Sequence, residues 1–130
     1  SIDSSGGRKG AGCWDQMFEA LSSEPRRAII ISLSDKPTER RLPLPEAAES
    51  PNQSIDPESL STQLRHHHLP QLDDAGYIRW ASDPFCVQRG PAFAEAAFIT
   101  NKILSSVDKI PDSLIKNCKV VSKMAEDDSD

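Results

Sequence analysis

The sequence predicts a mainly helical domain with one small β-hairpin, and three observations carry that prediction. Apolar residues recur at helical spacing in several separate runs. The triplet Asp56-Pro57-Glu58 is a helix start: an acidic N-cap, proline in the first turn, then an acid facing the positive end of the helix dipole. Two short β-forming runs, Tyr77–Trp80 and Phe85–Gln88, flank the turn residues Ser82-Asp83-Pro84.

Each element follows from local chemistry. The stretch Ser1–Gly12 is polar and rich in Gly and Ser, and is expected to be a disordered leader. Trp14, Met17, Phe18 and Leu21 form one helical stripe. Ser22-Ser23 ends that helix and offers an N-cap to the next, with Pro25 in its first turn. Ala28, Ile29, Ile30, Ile31 and Leu33 make the second helix almost wholly apolar, and Asp35-Lys36-Pro37 stops it. Thr38–Leu44 reads as an extended connector, Pro45–Ser50 as a short third helix, and Ser50–Ile55 as a polar loop. The capped helix then runs from Pro57 through Leu60, Leu64 and three histidines to Leu72, and Gly76 ends it. After the hairpin and Gly90-Pro91, Ala92–Lys109 is expected to be one long helix. Along it, Phe93, Ala96, Thr100, Ile103, Val107 and Ile110 follow a near-heptad spacing. Pro111-Asp112 breaks it. Leu114, Cys118, Val121 and Ala125 continue the pattern over Ser113–Met124, and Glu126–Asp130 is an acidic tail.

A capped helix followed directly by a hairpin is the order of a winged helix-turn-helix. In that fold the helix before the hairpin enters the major groove of DNA and the hairpin lies along the flanking backbone. The expected organisation is therefore a leader at 1–12 and a winged helix-turn-helix domain at 13–91. A helical dimerisation segment at 92–125 and an acidic tail at 126–130 complete it.

Composition bounds the function. The chain has 130 residues, 37% hydrophobic and 5% aromatic, so it can bury only a modest core and a second copy is expected to cover part of its apolar surface. The longest apolar stretch, Ala28–Ile31 with Leu33 beyond, is far short of the roughly 20 residues that span a bilayer. A soluble cytoplasmic protein is expected. Cys13, Cys86 and Cys118 form no CxxC pair and suit reduced thiols. No GxSxG, phosphate-binding glycine loop or HExxH is present, so no enzyme is expected.

Two segments resemble a known family. Phe18–Ile30, FEALSSEPRRAII, resembles the opening of ArsR-like winged-helix regulators, and Leu64–Ile78, LRHHHLPQLDDAGYI, resembles their HLxxLxxAGLI segment. This segment is similar to the HHxHLPxLxxAG form found in small haloarchaeal regulators. The resemblance spans about residues 14–90. It implies a homodimeric transcription regulator that binds double-stranded DNA. Some members of the family sense metals through a CxC-type pair in the recognition region, and that pair is absent here.

On a helix turning about 100° per residue, Leu60, Leu64, His68 and Leu72 share the core face, while Ser59, Thr62, Gln63 and His66 lie opposite, with Arg65 at the boundary. Thr62, Gln63, Arg65 and His66 are the expected base or phosphate contacts, Arg65 the best placed for guanine. Arg79 and Arg89 flank the hairpin and are expected on phosphates. The doublets Arg26-Arg27 and Arg40-Arg41 read equally well as phosphate clamps or as surface charge. Leu69 falls on the polar side of a straight helix, and a kink at Pro70 is expected to turn it inward. Consecutive His66, His67 and His68 point about 100° apart and cannot share one ion, so no metal and no cofactor is expected.

Charge opposes this reading. The chain carries −5 overall, and residues 57–90 hold three arginines against Glu58, Asp73, Asp74 and Asp83, a local −1. An acidic surface suits a halophile, in which high salt weakens phosphate contacts and leaves recognition to shape and base contacts. The alternative function is a winged-helix module for protein–protein interaction that has lost DNA binding.

Overall fold

The structure, a computed structural model, describes residues 10–50 and 55–118. Helix α1 spans Gly10–Ala20 and α2 spans Glu24–Ser34. A two-residue strand β1, Leu42–Pro43, precedes a 3₁₀ turn at Glu46–Ala48. Helix α3, Pro57–Gln63, passes through a π-turn, Leu64–His68, into α4, Leu69–Asp74. Strands β2, Ile78–Ser82, and β3, Phe85–Arg89, form a hairpin. Helix α5, Phe93–Leu104, a 3₁₀ turn at Val107–Lys109 and α6, Asp112–Lys116, follow. The fold is mainly helical, with a three-stranded antiparallel sheet in the order β1-β3-β2.

Local signals form most of these elements as expected. The Asp56 carboxylate accepts the Ser59 backbone N–H at 2.8 Å and the Ser59 hydroxyl at 3.1 Å, with Pro57 in the first turn. Those bonds hold the Asp56 carboxyl below its usual range. At the other end, Gly76 takes φ +83°, Tyr77 N–H reaches the Leu72 carbonyl at 3.1 Å and Gly76 N–H reaches that of Asp73 at 2.9 Å. This paired closure in the left-handed region suits glycine.

The run from Pro57 to Asp74 differs from the expected kinked helix. Leu69 N–H donates to the Leu64 carbonyl, five residues back. One such turn carries an extra residue, so everything beyond it lags by about 100°. Leu69 would lie about 180° from Leu60 on a straight helix; the lag returns it to within about 80°. Leu60, Leu64, Leu69 and Leu72 are all fully buried, each burial favouring the fold by about 1.5–3 kcal/mol. Pro70 fits the turn because it has no N–H to donate back to His66.

Other boundaries also differ. The connector ends as β1: Leu42 pairs with Val87, Pro43 with Cys86, and Leu44 N–H donates to the Phe85 carbonyl at 3.0 Å. The expected third helix is only one 3₁₀ turn, because Pro51 disfavours helical backbone at Ser50. Ser23 occupies the N-cap of α2, but its side chain makes no capping bond. Helix α1 begins at Gly10, inside the expected leader. The expected helix Ala92–Lys109 stops at Leu104, where the Ser105 hydroxyl bonds the Lys102 carbonyl and competes with the helix ladder. What is expected of residues 1–9, of the polar loop at 51–54, of Val121 and Ala125, and of the acidic tail lies outside the described residues.

One core joins these elements: Met17 and Ala20, Ile29, Ile30 and Leu33, the α3–α4 leucines, Ile78 and Val87, Phe93 and Ala96. Helix α5 thus belongs to the same core as the hairpin. A second cluster packs Val107 and Cys118 on Ala28 of α2, so the chain beyond α5 folds back on its own α2 as far as Cys118. The α1 stripe is only partly inward: Met17 is buried, while Trp14 and Phe18 are 55% and 63% exposed.

Substitution at the two hairpin glycines separates strain from collision. Gly76→Ala is expected to cost about 1–2 kcal/mol for its left-handed backbone. Gly90→Ala should cost more, because an added Cβ would meet the Gly76 carbonyl oxygen at 2.6 Å and the Ile78 nitrogen at 2.8 Å. Urea denaturation midpoints check this order.

Candidate nucleic-acid interface

Helix α3 and the π-turn turn one polar face outward. Thr62, Gln63, His66 and His67 are exposed, and Arg65 is half-buried at their edge. The Thr62 hydroxyl donates to the Glu58 carbonyl at 3.1 Å, which leaves its oxygen as an acceptor. The Arg65 guanidinium lies 3.9 Å above the Phe85 ring, and Phe85 meets Trp80 edge-on at 6.3 Å. This stack bridges the helix to the hairpin. Arg65 makes no hydrogen bond or ion pair to any described residue, so the ring holds the guanidinium in place while its N–H groups stay available.

The other expected contacts separate. Arg79 is exposed on β2, but strand alternation puts it on the sheet face opposite Phe85. Arg89 is tied into the fold: Nη2 donates to the Leu33 carbonyl at 3.1 Å and the Lys36 carbonyl at 2.7 Å, and its guanidinium lies 4.7 Å from the Phe93 ring. It closes the end of α2.

Arg26 and Arg27 are likewise structural. Arg26 is buried, and its Nε donates to the Ala20 carbonyl at 2.9 Å. Its Nη2 reaches the Glu19 carbonyl and the Ser22 hydroxyl, both at 3.1 Å. Arg27 Nη1 donates to the Leu21 carbonyl at 2.7 Å. The two guanidiniums bond carbonyls at the end of α1 and just beyond it, where the helical ladder runs out. Sequence reasoning missed this role, whose only trace was an arginine doublet in the first turn of the next helix.

Arg26 Nη1 also donates to His68 Nδ1 at 2.7 Å. The imidazole must accept that bond, which places its proton on Nε2. Burial first, then the Arg26 charge, then His67 push the His68 pKa down to about 4. Burial lowers the Arg26 pKa, with Glu19 opposing. His68 thus faces the core as expected, as a neutral acceptor that ties the π-turn to α1 and α2. No group of three or more potential metal ligands gathers among the described residues, and no described helix is long and apolar enough to cross a membrane.

Comparison with protein-family models, curated proteins and solved structures finds no match for this chain.

His68 sets a pH dependence. Its folded pKa lies below its unfolded value of 6.5, so the unfolded chain binds the extra proton more readily. The His68 contribution should be constant above about pH 6.5 and fall by up to about 3 kcal/mol as pH drops towards 4. Unfolding free energies across this range, with His68→Gln alongside, check it: the variant should lose most of the slope.

Proposed function

We propose that the chain is a winged helix-turn-helix transcription regulator that binds double-stranded DNA as a homodimer. Helix α3 would enter the major groove with Thr62, Gln63, Arg65 and His66, and the β2–β3 hairpin would act as the wing. The observation that carries this reading is Arg65. A guanidinium 3.9 Å above an aromatic ring, with no hydrogen-bond partner among the described residues, is prepared for planar bidentate recognition of a base edge. The element order and the added strand β1 are consistent with the winged fold. Arg89 leaves the expected phosphate set, because its bonds go to Leu33 and Lys36.

The homodimer reading rests on exposed apolar surface. Trp14 and Phe18 stack on α1 at 5.9 Å. Across from them on α5, Phe98 is 59% exposed, and an almost wholly apolar groove of about 410 Å³ runs between the two helices. Aromatic area of this kind marks interaction surfaces.

A second reading, a winged-helix protein-interaction module without DNA binding, is favoured by the local charge of −1 over 57–90 and by Asp83 at the hairpin tip.

Titration with a pool of duplex fragments at several salt concentrations separates the two. The regulator reading expects binding at low salt that weakens as salt rises, and roughly tenfold or greater loss of the preferred site in Arg65→Ala. Phe85→Ala should weaken the same site by releasing the stack. No binding at low salt would leave the interaction module. Sedimentation equilibrium tests the assembly: a dimer is expected for the natural chain and a monomer for Phe18→Glu with Phe98→Glu.

A further inference from the structure

Only one face of the sheet meets the helices. Leu42, Ile78 and Val87 are buried in the core, and Trp80 and Phe85 pack against it. By strand alternation, Arg79, Ala81, Cys86 and Gln88 face the other way. On that outer face Arg79 stands directly opposite Gln88. Arg41, one residue before β1, donates Nε to Gln88 Oε1 at 3.0 Å. Because the amide oxygen is taken by Arg41, the Gln88 NH₂ remains a donor. Arg41, Gln88 and Arg79 therefore form one row of hydrogen-bond donors across all three strands.

This row lines a cavity of about 520 Å³ bounded by Ala81, Cys86, Pro91 and Asp73. The volume lies in the range of small-molecule sites, roughly 300–1,000 Å³. Two guanidiniums against one carboxylate make the cavity net positive in a chain of −5. Arg79 makes no hydrogen bond or ion pair to any described residue. The row lies on the face opposite Arg65 and Phe85, so a duplex read by α3 would not supply its anion.

We propose that this outer face binds a small organic oxyanion, a phosphate monoester or carboxylate on a flat apolar body. Arg41 and Arg79 clamp the anionic end with Gln88 between them, and the body lies against Ala81, Cys86 and Pro91. Paired guanidiniums suit this chemistry because each presents a planar fork of N–H donors. Asp73 opposes the anion and limits its charge. The site does not depend on DNA binding by α3.

The test is NMR titration of the uniformly ¹⁵N-labelled chain with phenyl phosphate, benzoate and, as neutral control, benzyl alcohol. Saturable shifts are expected at the amides of Arg79, Ala81, Cys86 and Gln88 with at least one of the two anions, and not with the alcohol. Arg79→Gln and Arg41→Gln should each weaken binding roughly tenfold or more, and Asp73→Asn should tighten it about twofold. Arg41 and Arg79 are exposed, so these variants should fold; unchanged circular dichroism verifies it. Absence of saturable shifts with both anions, equal shifts with the alcohol, or binding indifferent to both arginine variants would overturn the site. Shifts of this row produced by duplex DNA but by neither small anion would overturn it too, and would assign the row to the nucleic-acid surface.

Discussion

The buried Arg26 guanidinium is the constraint on which the arrangement of the helices rests. It gathers the Ala20 and Glu19 carbonyls and the Ser22 hydroxyl at the end of α1, it belongs to α2, and it donates to His68 in the π-turn. A charge this deep is tolerable only if its N–H groups find acceptors. Each acceptor therefore fixes an element: the end of α1 cannot drift, and the π-turn cannot unwind, without stranding a buried donor. The apolar core supplies the burial energy, but apolar contact has no direction. Arg26 supplies the direction.

The π-turn answers a related demand. Pro70 cannot donate to His66, and a regular helix would carry Leu69 away from the core. One extra residue in a single turn resolves both. It leaves His68 facing Arg26 while Leu64 and Leu69, on either side, stay fully buried.

What the sequence made legible was local. The Asp56 cap, Pro57, the Gly76 closure and the hairpin each depend on residues a few positions apart, and each forms where expected. The strand β1 was not legible, because two residues carry no periodicity and its partner lies more than forty positions on. Nor was the π-turn, although the misfit of Leu69 beside Pro70 was its trace. The candidate site was legible in part. The polar face Thr62, Gln63 and His66 followed from helix angles, whereas the roles of Arg26 and Arg89 are decided by partners 42 and 53–56 residues distant. The Phe85 platform beneath Arg65 was invisible for the same reason, since residues 65 and 85 meet only through the folded hairpin.

The π-turn also divides the helical run into two segments with independent rotational phase. Residues before it decide which side chains face outward from α3, and residues after it decide how α4 delivers the chain into β2. A substitution among Ser59, Thr62 and Gln63 can therefore alter what the outer face displays without turning the hairpin. The exposed surface of α3 is in this sense a replaceable part mounted on a fixed joint.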